Sequence, residues 1–172
     1  MDKKLIRDSA EIIAAFLVAW IAYQLLIVGT GTPLPIVSVV SESMYHTEGF
    51  DEWWSHSSFY PDNEMTKEQF LNYQNFNGLA VGDLLFVTAP EDLKIGDIII
   101  YEKYDQQYKK MITVVHRIVE INEQGYVTKG DNHNTNSRVD SGIRSDEDIV
   151  GKVRFAFPLL GYPRLLLFAV GI

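Results

Sequence analysis

Val81-Gly82-Asp83-Leu84-Leu85-Phe86-Val87 and Ile95-Gly96-Asp97-Ile98-Ile99-Ile100-Tyr101 repeat one pattern, a Gly-Asp turn that runs straight into an apolar run. Aspartate hydrogen-bonds its own backbone neighbours and glycine turns the chain without strain, while the β-branched and aromatic residues that follow favour a strand. Downstream, Met111 to Ile121 reads as a long strand after the polar turn 105–110. Gly125 to Gly130 reads as a short strand and Ile149 to Phe157 as the last. Upstream, Ile36 to Val40 is a short β-branched strand that enters Ser41-Glu42-Ser43-Met44. Short strands with close turns and no long helix between them predict a mainly β chain, folded as a curled antiparallel β-sheet.

A chain of 172 residues suits one domain with an anchor and can bury a real core. Its net charge of −8 argues against nucleic acid as a partner, because such binding rests on Lys and Arg neutralising phosphates. With no cysteine, disulfides, a Cys nucleophile and thiolate metal sites are excluded. The four histidines, His46, His56, His116 and His133, are scattered without metal-ligand spacing, so neither a metal nor a cofactor is expected.

Ile12 to Val28 is apolar apart from Gln24, and seventeen helical residues span roughly 25 Å, the short end of a bilayer crossing. Lys3, Lys4 and Arg7 precede it and the linker from Gly29 to Pro35 carries no charge. The positive-inside bias therefore puts the N-terminus in the cytoplasm and the rest on the extracytoplasmic face of the cell membrane, with the lipid bilayer as a partner. The expected organisation is a cytoplasmic tip and transmembrane anchor at 1–30, a β-rich domain at 31–160 and an apolar, membrane-proximal tail at 161–172. Residues 45–80 read as a partly helical insertion. Its aromatic residues, Trp53 and Trp54 among them, either cover a cleft or lipid headgroups or form a satellite cluster under a long loop. Within it, Met65 to Leu71 reads as a short helix capped by Thr66 or Asn63.

Ser41 and Ser43, two apart in an extended chain, point their hydroxyls to one side. Ser43 then suits a nucleophile and Ser41 an oxyanion donor; a strand ending in a Ser-rich turn is the plainer alternative. His116, in Val114-Val115-His116-Arg117-Ile118, alternates onto the apolar face of its strand, with Arg117 expected to point out. There it is either a core histidine bonded to backbone or a general base kept neutral by burial. The polar loop Thr128 to Gly142 offers two carboxylates, Asp131 and Asp140, either of which can receive the second imidazole N–H.

Taken together and in this order, Ser41-Glu42-Ser43-Met44 after an anchor, the Gly82-Asp83 and Gly96-Asp97 turns, Val115-His116-Arg117-Ile118 and Thr128-Lys129-Gly130-Asp131-Asn132 resemble type I signal peptidase, in its archaeal and endoplasmic-reticulum branch. The resemblance implies a membrane-bound serine endopeptidase that removes signal peptides from secretory preproteins, without a metal, and makes 31–160 its catalytic domain. Translocon or accessory subunits are further partners it allows. Carried over, Ser43 is the nucleophile and His116 the general base. Ser41, with the backbone N–H of Ser43, makes the oxyanion hole, and Asp131 matches the first acidic position of the last motif. The second acidic position usually follows six residues later, where this chain has Ser137, so it is assigned to Asp140 across a longer loop. An inactive binding domain on the same fold, or a Ser-Lys dyad with Lys129 as base, are the alternatives.

Overall fold

The computed structural model describes residues 3–106, 109–142 and 144–169. The centre of the turn expected at 105–110 and the last three residues of the apolar tail therefore lie outside the described residues. Six strands form one open sheet in the order β1-β2-β6-β3-β4-β5, with each neighbouring pair antiparallel. The strands are β1 (Ile36–Ser38), β2 (Leu84–Thr88), β3 (Ile98–Asp105), β4 (Lys110–Asn122), β5 (Gly125–Lys129) and β6 (Ile149–Phe157). Helix α1 (Lys3–Thr30) precedes them; α2 (Phe50–His56), α3 (Phe59–Asp62) and α4 (Lys67–Leu71) lie between β1 and β2; α5 (Tyr162–Ala169) follows β6.

Helix α1 has 28 residues and buries none of them within the protein. It is long and apolar enough to cross a membrane. Helix α4 starts with a capping box, in which the Thr66 hydroxyl accepts from the Gln69 N–H and the Gln69 side chain accepts from the Thr66 N–H.

The two Gly-Asp turns are built alike. Asp83 accepts the Ala80 N–H on its side chain at 2.8 Å, and Asp97 accepts the Lys94 N–H at 2.8 Å. Gly82 and Gly96 sit at φ 93° and 95°, where a side chain is strained. Each glycine also lies under a tyrosine ring, Tyr162 over Gly82 and Tyr73 over Gly96. Each turn then makes two backbone bonds to a segment bearing a predicted site residue. Gly82 N–H bonds Val39 O and Val39 N–H bonds Asp83 O, just before Ser41. Gly96 N–H bonds Ile118 O and Ile118 N–H bonds Asp97 O, just after His116.

Each face of the sheet carries a buried apolar cluster. Ile98, Ile100, Leu85, Val87 and Val153 pack with Met44 and Leu79 on one side, while Ile99, Tyr101, Ile118 and Ile149 pack on the other. The insertion forms the third cluster, with Trp53, Tyr60, Met65 and Phe70 against Val119. Its large rings are thus interior groups, the satellite arrangement rather than a lipid-facing one. This cluster overturns one expectation: Arg117 does not point to solvent but is fully buried. Alternation puts it opposite His116 correctly, but that second face is roofed by the insertion instead of water.

Gly96→Ala forces a Cβ onto the Tyr73 ring at a positive φ. Tyr73 packs against the insertion's cluster, so the ring has little room to withdraw. The substitution is expected to destabilise the detergent-solubilised chain by about 1–3 kcal/mol in a urea titration.

Candidate functional site

Strand β1 ends earlier than the sequence suggests, at Ser38, and Ser41 to Met44 form a turn closed by Tyr45 N–H to Glu42 O at 3.0 Å. Val39 is held by the Gly82-Asp83 turn, so the extended register stops there. The two serine hydroxyls nevertheless meet, Ser41 Oγ lying 3.2 Å from Ser43 Oγ, with Ser41 exposed and Ser43 half-buried. Met44 is the plug that fixes this turn: its side chain is buried in the core, and its carbonyl accepts the Leu79 N–H at 2.8 Å.

The turn rests on the segment that leaves β5. Asn132 N–H donates to Ser43 O at 2.9 Å, and the Asn132 side-chain amide donates to Glu42 O at 2.9 Å. Gly130 is needed for this approach, because a Cβ there would lie 2.7 Å from the Ser43 carbonyl oxygen.

His116 is buried on β4, and its Nδ1 lies 2.6 Å from Asp140 Oδ2. The same carboxylate oxygen accepts the Thr128 hydroxyl at 2.7 Å and the Tyr101 hydroxyl at 2.9 Å. Asp140 N–H bonds Thr128 O, which lays the loop along β5. Burial raises the Asp140 carboxyl, but the hydrogen bond and charge of His116, with Thr128 and Tyr101, outweigh it and hold the group below its ordinary range. The carboxylate is therefore ionised and bound to imidazole at neutral pH. Among the described residues, Ser43 and His116 are not hydrogen-bonded to each other. Only Lys129 and Gly130 separate Thr128, which holds Asp140, from Asp131 and Asn132, which hold the Ser43 turn.

Asp131 is placed differently. It is completely buried and accepts from Arg117 Nη2 at 2.6 Å, Arg117 Nε at 3.0 Å, Tyr60 Oη at 2.7 Å and His46 Nε2 at 3.2 Å. Its carbonyl accepts the Trp53 indole N–H at 2.9 Å and its N–H points to Met44 Sδ. Burial raises this carboxyl too, yet Arg117 and His46 drive it well below the usual carboxylate range. The remaining Arg117 donors go to the carbonyls of Gln74, Gly96 and Asn75, so the buried guanidinium is fully satisfied. Of the two carboxylates open to His116 in the sequence, Asp140 meets it and Asp131 ties the insertion to the sheet. Lys129 lies on the Arg117 side, where its Nζ donates to Gly130 O at 2.8 Å and sits over the Phe59 and Tyr60 rings. Burial lowers its pKa against the pull of Asp131 and Asp140.

Tyr101, Thr128, Asn132 and the His46–Trp53–Tyr60 group belong to the site's surroundings without having been singled out by the sequence. Thr128 and Asn132 stand within the quoted motif, whereas Tyr101 looks like any strand aromatic. Among the described residues no group of three or more His, Asp or Glu side chains is placed to hold a metal ion.

No family model matches the chain. It is similar to curated proteins that are signal peptidase complex catalytic subunits. That of Eremothecium gossypii is 38% identical over 96 residues, covering 49% of this chain and 55% of the relative. That of Zygosaccharomyces rouxii is 37% identical over 92 residues, 47% of this chain and 53% of the relative. That of Lodderomyces elongisporus is 32% identical over 96 residues, 50% and 55%. The chain spans about half the length of the curated relatives it matches. An antiparallel sheet behind an apolar N-terminal helix, with these matches, supports a relative of the endoplasmic-reticulum type of signal peptidase, the branch its motifs resemble.

Burial keeps His46 neutral below its ordinary 6.5, against the pull of Asp131. The unfolded chain takes up that proton first as pH falls, so the stability His46 confers is full above about pH 6.5 and is lost below it. His46→Gln is expected to flatten the drop in thermal midpoint that begins below about pH 6.5, leaving the steeper loss below about pH 4 that Asp131 and Asp140 carry. Asp131→Asn leaves Arg117 buried without its counter-charge and is expected to cost about 3–5 kcal/mol, read by urea denaturation at neutral pH.

Proposed function

We propose that the chain is a membrane-bound serine endopeptidase that cleaves N-terminal signal peptides from exported preproteins by Ser43 and His116. The observation that carries the reading is the 2.6 Å contact between His116 Nδ1 and Asp140, which leaves Nε2 as the imidazole nitrogen for a serine proton. Ser43 Oγ leaves Ser41, passes its proton to Nε2 and attacks the carbonyl before the scissile bond. Asp140 holds the Nδ1–H tautomer and stabilises the imidazolium. The Ser41 hydroxyl and the Ser43 N–H receive the oxyanion. His116 then gives its proton to the leaving amine, and water, deprotonated by the same imidazole, hydrolyses the acyl ester.

Asp131 acts here as a positioning residue, since its oxygens are taken by Arg117, Tyr60 and His46. A Lys129 dyad gains less support, because the ammonium lies against the insertion's rings and the Gly130 carbonyl. Helix α1 is the anchor of this reading, with the N-terminus cytoplasmic and the sheet on the extracytoplasmic face. It holds enzyme and tethered substrate at high effective concentration. Accessory subunits are proposed partners, since the relatives are named as subunits of a complex.

The test is cleavage of a model preprotein by full-length enzyme in detergent and in vesicles. Ser43→Ala and His116→Ala are each expected to lose activity by about 10⁴-fold or more, and Asp140→Asn by up to about 10⁴-fold. Ser41→Ala is expected to lose about 10–1000-fold, mostly in kcat. Unchanged processing by Ser43→Ala would refute the reading.

A further inference from the structure

Three hydroxyl or ring donors converge on one oxygen of Asp140, and only one of them belongs to His116. Tyr101 Oη is 2.9 Å from Oδ2, Thr128 Oγ1 is 2.7 Å from it, and the two hydroxyls lie 3.3 Å apart. Tyr101 is fully buried on β3, on the face it shares with Ile99 and His116. Arg144 lies over its ring, with the guanidinium carbon 4.7 Å from the ring centroid. Arg144 Nη2 donates to the carbonyls of Ser141 and Gly142, the two residues after Asp140, and the Arg144 backbone is bridged twice to Tyr126 on β5. The loop that carries Asp140 is therefore closed at both ends, with Tyr101 beneath it.

We propose that Tyr101 is a positioning residue of this site: together with Thr128 it holds Asp140 on the oxygen that His116 uses, and so sets how strongly the carboxylate draws the imidazole proton. This rests on the reading of Asp140 as the carboxylate that orients His116. Packing alone does not require the phenol oxygen, because a phenylalanine fills the same space among Ile99, Ile118 and Ile149. Burial and the Asp140 charge both push the Tyr101 hydroxyl well above its ordinary value, so it stays a donor wherever the site works. Each hydrogen bond given to a carboxylate spreads its charge and weakens its hold on a neighbouring proton. The charged and titratable groups around the pair are Asp140 itself, Tyr101, Arg144 over its ring and Lys129, whose charge acts on Asp140. Arg144 and Lys129 are common to wild type and variants, so a difference between them isolates the hydroxyl.

The experiment is a histidine NMR titration of the full chain in detergent, with the His116 signal assigned by its absence in His116→Gln. In Tyr101→Phe the His116 midpoint is expected to rise by about half to one pH unit, and the acid limb of kcat/KM with it. Thr128→Val moves the midpoint the same way, and Thr128→Ser, which keeps the hydroxyl, restores it. If the midpoint stays in place in both Tyr101→Phe and Thr128→Val while only thermal stability falls, Tyr101 is a packing residue and the proposal is overturned. Asp140→Asn separates this from the functional reading: full preprotein cleavage by that variant removes Asp140 from the mechanism, whereas the titration reports the Tyr101–Asp140–His116 coupling with no substrate present.

Discussion

The buried pair of Asp131 and Arg117 sits where the separate parts of this molecule meet. A fully buried charge is tolerable only when it is paired and hydrogen-bonded. Arg117 meets that condition by donating to Asp131, to the Gly96 turn and to the chain at Gln74 and Asn75. Asp131 meets it by collecting Arg117, Tyr60 and His46. One ion pair thereby joins β4, the exit of β5, the second Gly-Asp turn and the insertion. The Asp131 backbone extends the same connection to Met44, beside Ser43.

That arrangement gives the insertion a physical purpose. Without residues 45–80 the Arg117–Asp131 pair would face water, and the segment Gly130 to Asn132, which carries the Ser43 turn, would lose its fixed backing. The stacking of His46 on Trp53, with centroids 3.6 Å apart, and the rings of Tyr60 and Phe70 exclude water from the pair. In a low-dielectric setting such a network is strong when complete and costly when one member is missing.

The opposite face of β4 works by different means. There His116 and Asp140 sit beneath hydroxyls rather than full charges, so the carboxylate stays available to the imidazole. A single strand thus presents a fully neutralised acid–base pair on one side and a shared one on the other, by the two-residue alternation of side chains. The two Gly-Asp turns hold the Ser43 and His116 segments by the same pair of backbone bonds, one turn for each.

Elements with local signals follow from the residue order alone. Gly-Asp before an apolar run specifies both turns, β-branched alternation specifies the strands, and unbroken hydropathy specifies α1, because each depends on residues within one turn, one strand or one helix. The same order places Ser41, Ser43 and His116 in a setting that resembles a known family. Which carboxylate meets His116 is a matter of long-range packing, since Asp131 and Asp140 lie on one polar loop and their sorting depends on Arg117, buried by a distant insertion. The fate of Arg117 is settled the same way, for alternation says which face a residue takes and not what covers that face. Tyr101 is legible as a strand residue and illegible as a partner of Asp140, because that contact spans 39 positions and is made only when β3, β4 and β5 lie side by side.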